Sequence, residues 1–201
     1  MTDQSGKIND TAKENKIVIS DTDFLSSFLW RDKFGIVTKL FAKLGMDIVI
    51  PQAVIEELGY SIRTRERLQM PLIRLNNKKE KVKGAGDIYI RDIDPFSDMG
   101  IKYNELKESM GQGESAAIGM LLYSEEKPAC LASNNLKDIS KYVEDYGITL
   151  WTTADVLVKA EELGIITHES AINLWDKMLE DNLYLPENSY EEYSKRKKAV
   201  V

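Results

Sequence analysis

A chain of 201 residues, 43% hydrophobic and 30% charged, is long enough to bury one domain core, and its composition is that of an ordinary globular protein. A net charge of -6 excludes bulk electrostatic attraction as the basis of nucleic-acid binding, although carboxylates clustered to hold a divalent cation would themselves make a chain acidic. The single cysteine, Cys130, rules out an internal disulfide, and the sequence carries neither a long apolar run nor a basic-then-apolar leader; the expectation is a cytoplasmic protein with no membrane contact.

Residues 1–15 are polar and without periodicity, and read as a disordered leader. KIVISDTDFLSSFL follows. Its β-branched run Ile17, Val18, Ile19 predicts a buried strand, Ser20 to Asp23 a strand-to-helix turn, and Phe24, Leu25, Phe28 and Leu29 a helix. A carboxylate at the carboxyl end of a first parallel strand is placed for ligand chemistry. Asp is equally a favoured helix cap, so Asp21 and Asp23 also read as caps. Phe34, Val37, Leu40, Phe41 and Leu44 predict a second helix that Gly45 stops. Residues 47–50 predict a second strand, and Pro51 the opening of a helix over 52–60 that carries Glu56 and Glu57. Residues 61–98 are irregular and basic. They read as a solvated loop or as a contact surface for phosphates or a partner protein, with 87–94 a strand or sheet edge.

A helix is predicted over 97–108. In MGQGESAAI two glycines break that helix and Glu114 opens the next, where Ala116, Ala117 and Gly119 allow close packing on a sheet; an acid there is also a simple electrostatic cap. Residues 128–132 predict the third core strand, with Cys130 packed inside it. SNNLKD is a polar turn into a helix ending near Gly147, and 148–151 is a last strand. Thr152 or Thr153 caps a helix over 154–163. Thr167 caps a final one to about 183, with Ala171, Leu174, Trp175, Met178 and Leu179 on one face. The single histidine, His168, has no second His or Cys with which to share zinc and reads as a surface residue. Residues 190–201, with KRKK at 195–198, read as a mobile solvated tail. Alternating strands and helices predict an α/β domain with a parallel sheet and helices on both faces.

Four acids recur at strand ends or first helical turns of this pattern: Asp21, Glu57, Glu114 and Asp138. Like charges gathered at one sheet edge are costly unless a cation sits among them. An all-oxygen site suits Mg²⁺ or Mn²⁺, ions that activate water and stabilise phosphoryl charge. The chain holds no Walker loop, dinucleotide fingerprint or CxxC pair.

At these residues the chain resembles the PIN-domain ribonucleases, over about residues 16–163. VISDTDFLSSF is similar to the family's opening strand-to-helix motif, IPQAVIEEL to its second, with Glu57 as the acid and Glu56 the other register, and GQGESAAI to its third. SNNLKDI resembles the fourth. There the chain departs from many relatives, which carry an acid where Asn134 or Asn135 stands and Thr in place of Ser133. TTADVLVKAEELGIITHESAINLWDKML is similar to a poorly characterised branch that adds one further helix.

The resemblance implies a three-layer fold with a central parallel sheet of four or five strands plus an extra C-terminal helix. The domain would span 16–165, with 61–98 a variable basic insertion and 166–201 the helix and basic tail. It implies a metal-dependent endoribonuclease acting on single-stranded or structured RNA. Asp21, Glu57, Glu114 and Asp138 would be catalytic and hold Mg²⁺ or Mn²⁺, and Thr22 and Asn135 would contact substrate or orient the ligands, Thr22 through a hydrogen bond to Asp21. It also implies a toxin of a toxin–antitoxin pair, with an antitoxin protein as partner, and a homodimer. Two alternatives stand beside this: a catalytically weakened module that binds RNA or a protein, and a generic α/β domain whose acids only cap helices.

Overall fold

The structure, a computed structural model, describes residues 16–60, 88–123 and 128–199. The predicted first strand is β1 (Lys16–Ser20), and burial of every residue after Lys16 explains its unbroken apolar run. β1 is the centre of a five-stranded, all-parallel sheet with β2 (Met46–Pro51), β3 (Ile88–Arg91), β4 (Pro128–Ala132) and β5 (Thr149–Trp151), in the order β3-β2-β1-β4-β5. Val18 pairs with Ile48, Ile48 with Ile88, Ile19 with Leu131, and Leu131 with Leu150. The chain leaves β1 in one direction through β2 and β3, then returns to place β4 on the other side. That reversal opens a crevice at the carboxyl ends of β1 and β4, where open parallel sheets bind ligands.

Strand residues alternate between two cores, as a two-residue period requires. Val18, Ile48, Ile50 and Cys130 face a layer built from α1 (Thr22–Leu29), α2 (Phe34–Lys43) and α3 (Gln52–Tyr60), together with the C-terminal helices. Ile17, Ile19, Val49 and Leu131 face α4 (Asp98–Leu106), α5 (Gln112–Tyr123) and α6 (Leu136–Tyr146). Cys130 is buried, and burial pushes its thiol up to about 12, so it is a core residue and not a nucleophile. In α5, a side chain at Gly119 would meet Met99 and Tyr103 of α4, so the close approach expected with the sheet is made there with a helix. Pro51 ends β2 and does not open α3; it has no N–H to give a ladder and sits where the strand stops.

The C-terminal part is more ordered than its charge predicts. Thr152 caps α7 (Thr153–Glu162) in a capping box with Asp155, and Thr167 caps α8 (His168–Glu180). The segment expected to be a loose tail is a further helix, α9 (Tyr190–Lys198), capped by Ser189. Its two buried tyrosines, Tyr190 and Tyr193, stand one turn apart and pack on the fully buried Trp175, with ring centroids 5.7 and 5.5 Å away. Their hydroxyls donate to Glu161 and Asp155 at 2.5 and 2.8 Å. Removing the second of these bonds, in Tyr193→Phe, should cost about 1–2 kcal/mol in urea unfolding, since it strips a donor from a carboxylate while keeping the ring. No helix among the described residues is long and apolar enough to cross a membrane.

Candidate functional site

Asp21 is the residue immediately after β1. Its N–H extends the sheet to Ala132 O at 3.0 Å, and its Oδ1 accepts from Phe24 N at 2.8 Å, capping α1. The capping reading therefore holds, but it is not the whole of the residue. An ordinary cap is wet, whereas Asp21 is 2% exposed. Burial pushes its carboxyl up to about 7 against the pull of the Ser133 hydroxyl and the Phe24 N–H; the carboxylates of Asp23 and Glu114 push it the same way.

Glu57 reaches the same edge from α3. Its Oε2 accepts from Thr22 Oγ1 at 2.6 Å and from Gly113 N at 2.8 Å. The expected bond from Thr22 to Asp21 gives way to this one, because Asp21 is turned inward onto Phe24 N. Glu56, the other register, is exposed and, among the described residues, accepts from Gln52 Nε2 at 3.3 Å, away from Thr22 and Gly113. Gly113 has no alternative here, since a Cβ would overlap Thr22 Oγ1 and Glu57 Oε2. Gly113→Ala should expel the Glu57 carboxylate and cost roughly 1–3 kcal/mol by thermal melting, the range for overpacking a tight site.

Glu114, in the first turn of α5, is half-buried. Burial raises its carboxyl to about 7. Asp138 adds to the shift, the Asn135 amide opposes it, and Asp23 and Glu57 contribute further upward pushes. Its Oε1 is buried and has no hydrogen-bond partner among the described residues. Asn135 caps α6 by accepting from Asp138 N, and its Nδ2 donates to Asp138 Oδ2 at 2.9 Å, so this amide lies between Glu114 and the exposed Asp138.

Asp23, expected as a cap, is exposed at the rim of this group, where partial burial of its carboxyl and the Glu57 carboxylate raise its pKa. The signal was its place in Asp-Thr-Asp, the third position of the opening motif. Asn134, where many relatives carry an acid, is a tie. Its Nδ2 donates to Ser27 Oγ at 3.1 Å and Thr153 Oγ1 at 2.9 Å, and its Oδ1 accepts from Thr153 N at 2.9 Å. With both amide hydrogens and one lone pair of its oxygen engaged, it joins the end of β4 to α1 and α7. His168 is exposed and pairs with Glu161 at 2.8 Å, in keeping with its surface reading.

The four expected acids and Asp23 thus share one sheet edge and act on each other's charge. Among the described residues, however, no three His, Cys, Asp or Glu side chains close into a compact metal-holding group. Three of the acids are drawn to their own donors: Asp21 to Phe24, Glu57 to Thr22 and Gly113, Asp138 to Asn135. The donor chemistry still fits a hard divalent cation, because the group is all oxygen and Glu114 Oε1 is a buried acceptor, unpartnered among the described residues, that feels the charge of Asp138, Asp23 and Glu57. A family profile described as a PIN domain matches residues 17–199. No curated protein and no solved structure gives a match.

Proposed function

The chain belongs to the PIN-domain family, and on that premise we propose that it is a metal-dependent endoribonuclease, hydrolysing RNA phosphodiester bonds at the edge formed by Asp21, Glu57, Glu114 and Asp138. The observation that most supports this reading is Glu114 Oε1, a buried carboxylate oxygen without a hydrogen-bond partner among the described residues, set among mutually repelling acids. Buried polar atoms are normally satisfied, so this oxygen calls for a donor or a cation. Asp21, Glu57, Glu114 and Asp138 would hold Mg²⁺ or Mn²⁺, which supplies Lewis acidity and offsets charge on the phosphoryl oxygens. Thr22 and Gly113 fix Glu57, and Asn135 fixes Asp138. The buried wall behind Asp21 lowers the local dielectric, so every charge at this edge acts more strongly than it would in water.

A second reading has its own support. The fourth motif carries Asn134 as a structural tie in place of an acid, and this favours a catalytically weakened module that binds RNA or a protein. We also propose, from the family resemblance alone, a toxin role in which an antitoxin protein covers the acid edge, and a homodimeric state that light scattering would test. The deciding experiment incubates labelled single-stranded RNA with the protein in Mn²⁺, Mg²⁺ or EDTA. Cleavage in either cation, absent in EDTA and in Asp21→Asn, is the expected result. RNA held equally well in EDTA and never cut would favour the binding module, and cleavage retained by Asp21→Asn would contradict the assigned site.

A further inference from the structure

Beside the acid edge, at the carboxyl ends of β4 and β5, lies a groove of about 500 Å³, a size that suits a small ligand or one unit of a polymer. Leu185 and Tyr193 are buried at its base, Leu136 and Tyr184 are exposed, and Arg196 and Lys197 reach it from α9. The groove opens one residue from the acid site: Asn134 and Leu136, which line it, flank Asn135, the residue bonded to Asp138.

Tyr184 is the informative side chain. It is 82% exposed, on the link between α8 and α9, and its flat face is left to solvent where the packing of the fold does not call for an aromatic ring. The last turn of α9 carries four exposed cations, at 195–198, of which Arg196 and Lys197 line the groove together with the Asp155 carboxylate. Arg196 pairs with Glu187 and Lys197 with Asp155, both at 2.6 Å, and both cations lie over the Tyr193 ring. The Arg196 pair, with its exposed guanidinium, is the one open to an incoming phosphate, whereas Lys197 is held by the more buried Asp155. Aromatic faces beside cations are what a single strand of nucleic acid requires, with bases stacked and phosphates neutralised. A peptide's apolar side chains would match the leucines and tyrosines but leave the cations unused.

We propose that this groove holds an unpaired base of the RNA strand adjoining the phosphodiester at the acid site, stacked on Tyr184, with its phosphate on Arg196. The proposal rests on the ribonuclease reading for its substrate, but it concerns binding and is tested without cleavage. A short 5′-labelled oligouridine is titrated with the full chain in EDTA and followed by fluorescence anisotropy. Tyr184→Ala should weaken binding roughly ten-fold, the effect of losing one stacked base, and leave the melting temperature unchanged. Arg196→Glu should also weaken it. A plot of log affinity against log salt should have a shallow slope of about -0.7, as for one phosphate contact to a single strand. A duplex of the same length should bind more weakly and be indifferent to Tyr184→Ala.

Binding that is unchanged in both variants overturns the groove, whether or not Mn²⁺-dependent cleavage persists. No oligouridine binding by the wild type also overturns it, as does Tyr184-dependent binding of an acidic, aromatic peptide in its place. Tyr184-dependent oligouridine binding without any cleavage in Mn²⁺ supports the groove and sinks the ribonuclease reading alone.

Discussion

Asp21→Asn should raise the melting temperature of the metal-free protein at pH 8 and, in the same molecule, lower Mn²⁺-dependent RNA cleavage by at least about a hundred-fold, the scale for losing a key charged contact in a site. The stability gain follows from linkage. The Asp21 carboxyl is raised from 3.8 to about 7 in the fold, chiefly by burial. A raised acid binds more protons folded than unfolded, so its favourable contribution is complete below about pH 4 and is lost as pH climbs through 7. At pH 8 the buried carboxylate is charged. The shift sets an upper limit of about 4 kcal/mol on that penalty, at 1.36 kcal/mol for each pH unit. Asparagine caps a helix as well as aspartate does and accepts from Phe24 N in the same way. Allowing for imperfect bonding of its new amide group, a gain of about 2 kcal/mol is expected, or roughly 4–8 °C for a chain of this size. A buried residue that only caps would show the gain without the loss of cleavage.

Cation affinity should tighten about a hundred-fold between pH 6 and pH 8. Asp21 and Glu114 both sit near 7 through burial, with neighbouring carboxylates adding to each shift. Protons and cations compete for these oxygens, and cation binding releases the protons. Each group is about ten-fold less available at pH 6 than at pH 8 by simple titration around that value, and two groups multiply. The check is Mn²⁺ affinity at the two pH values, with Glu114→Gln reducing the pH dependence to about ten-fold. An affinity that does not change with pH would show that neither acid takes part.

The parts of this molecule legible in the sequence are those with strong local signals. The run Ile17, Val18, Ile19 reads as a buried strand, and Asp21 at its end needed no tertiary information to locate. Glu57, Glu114 and Asp138 were legible as acids in recurring positions, and the parallel sheet brings them to one edge. What escaped depends on contacts between distant segments. The hydroxyl of Thr22 goes to Glu57 in α3, thirty-five residues away, a choice made by how α1 and α3 pack. Gly113 looked like a helix breaker, but its role is to let Glu57 and Thr22 approach. The α9 helix was hidden because charge dominates its composition, while two tyrosines one turn apart carry its packing. The residues 1–15 leader and most of the basic 61–98 segment lie outside the described residues.

The most direct test of the central claim is calorimetric titration of Mn²⁺ into the full chain at pH 8, with Asp21→Asn measured alongside. Saturable binding of one or two ions, with proton release, in the wild type and its loss in the variant is the predicted result. No binding by the wild type, or equal binding by Asp21→Asn, would contradict a cation site at the carboxyl edge of β1.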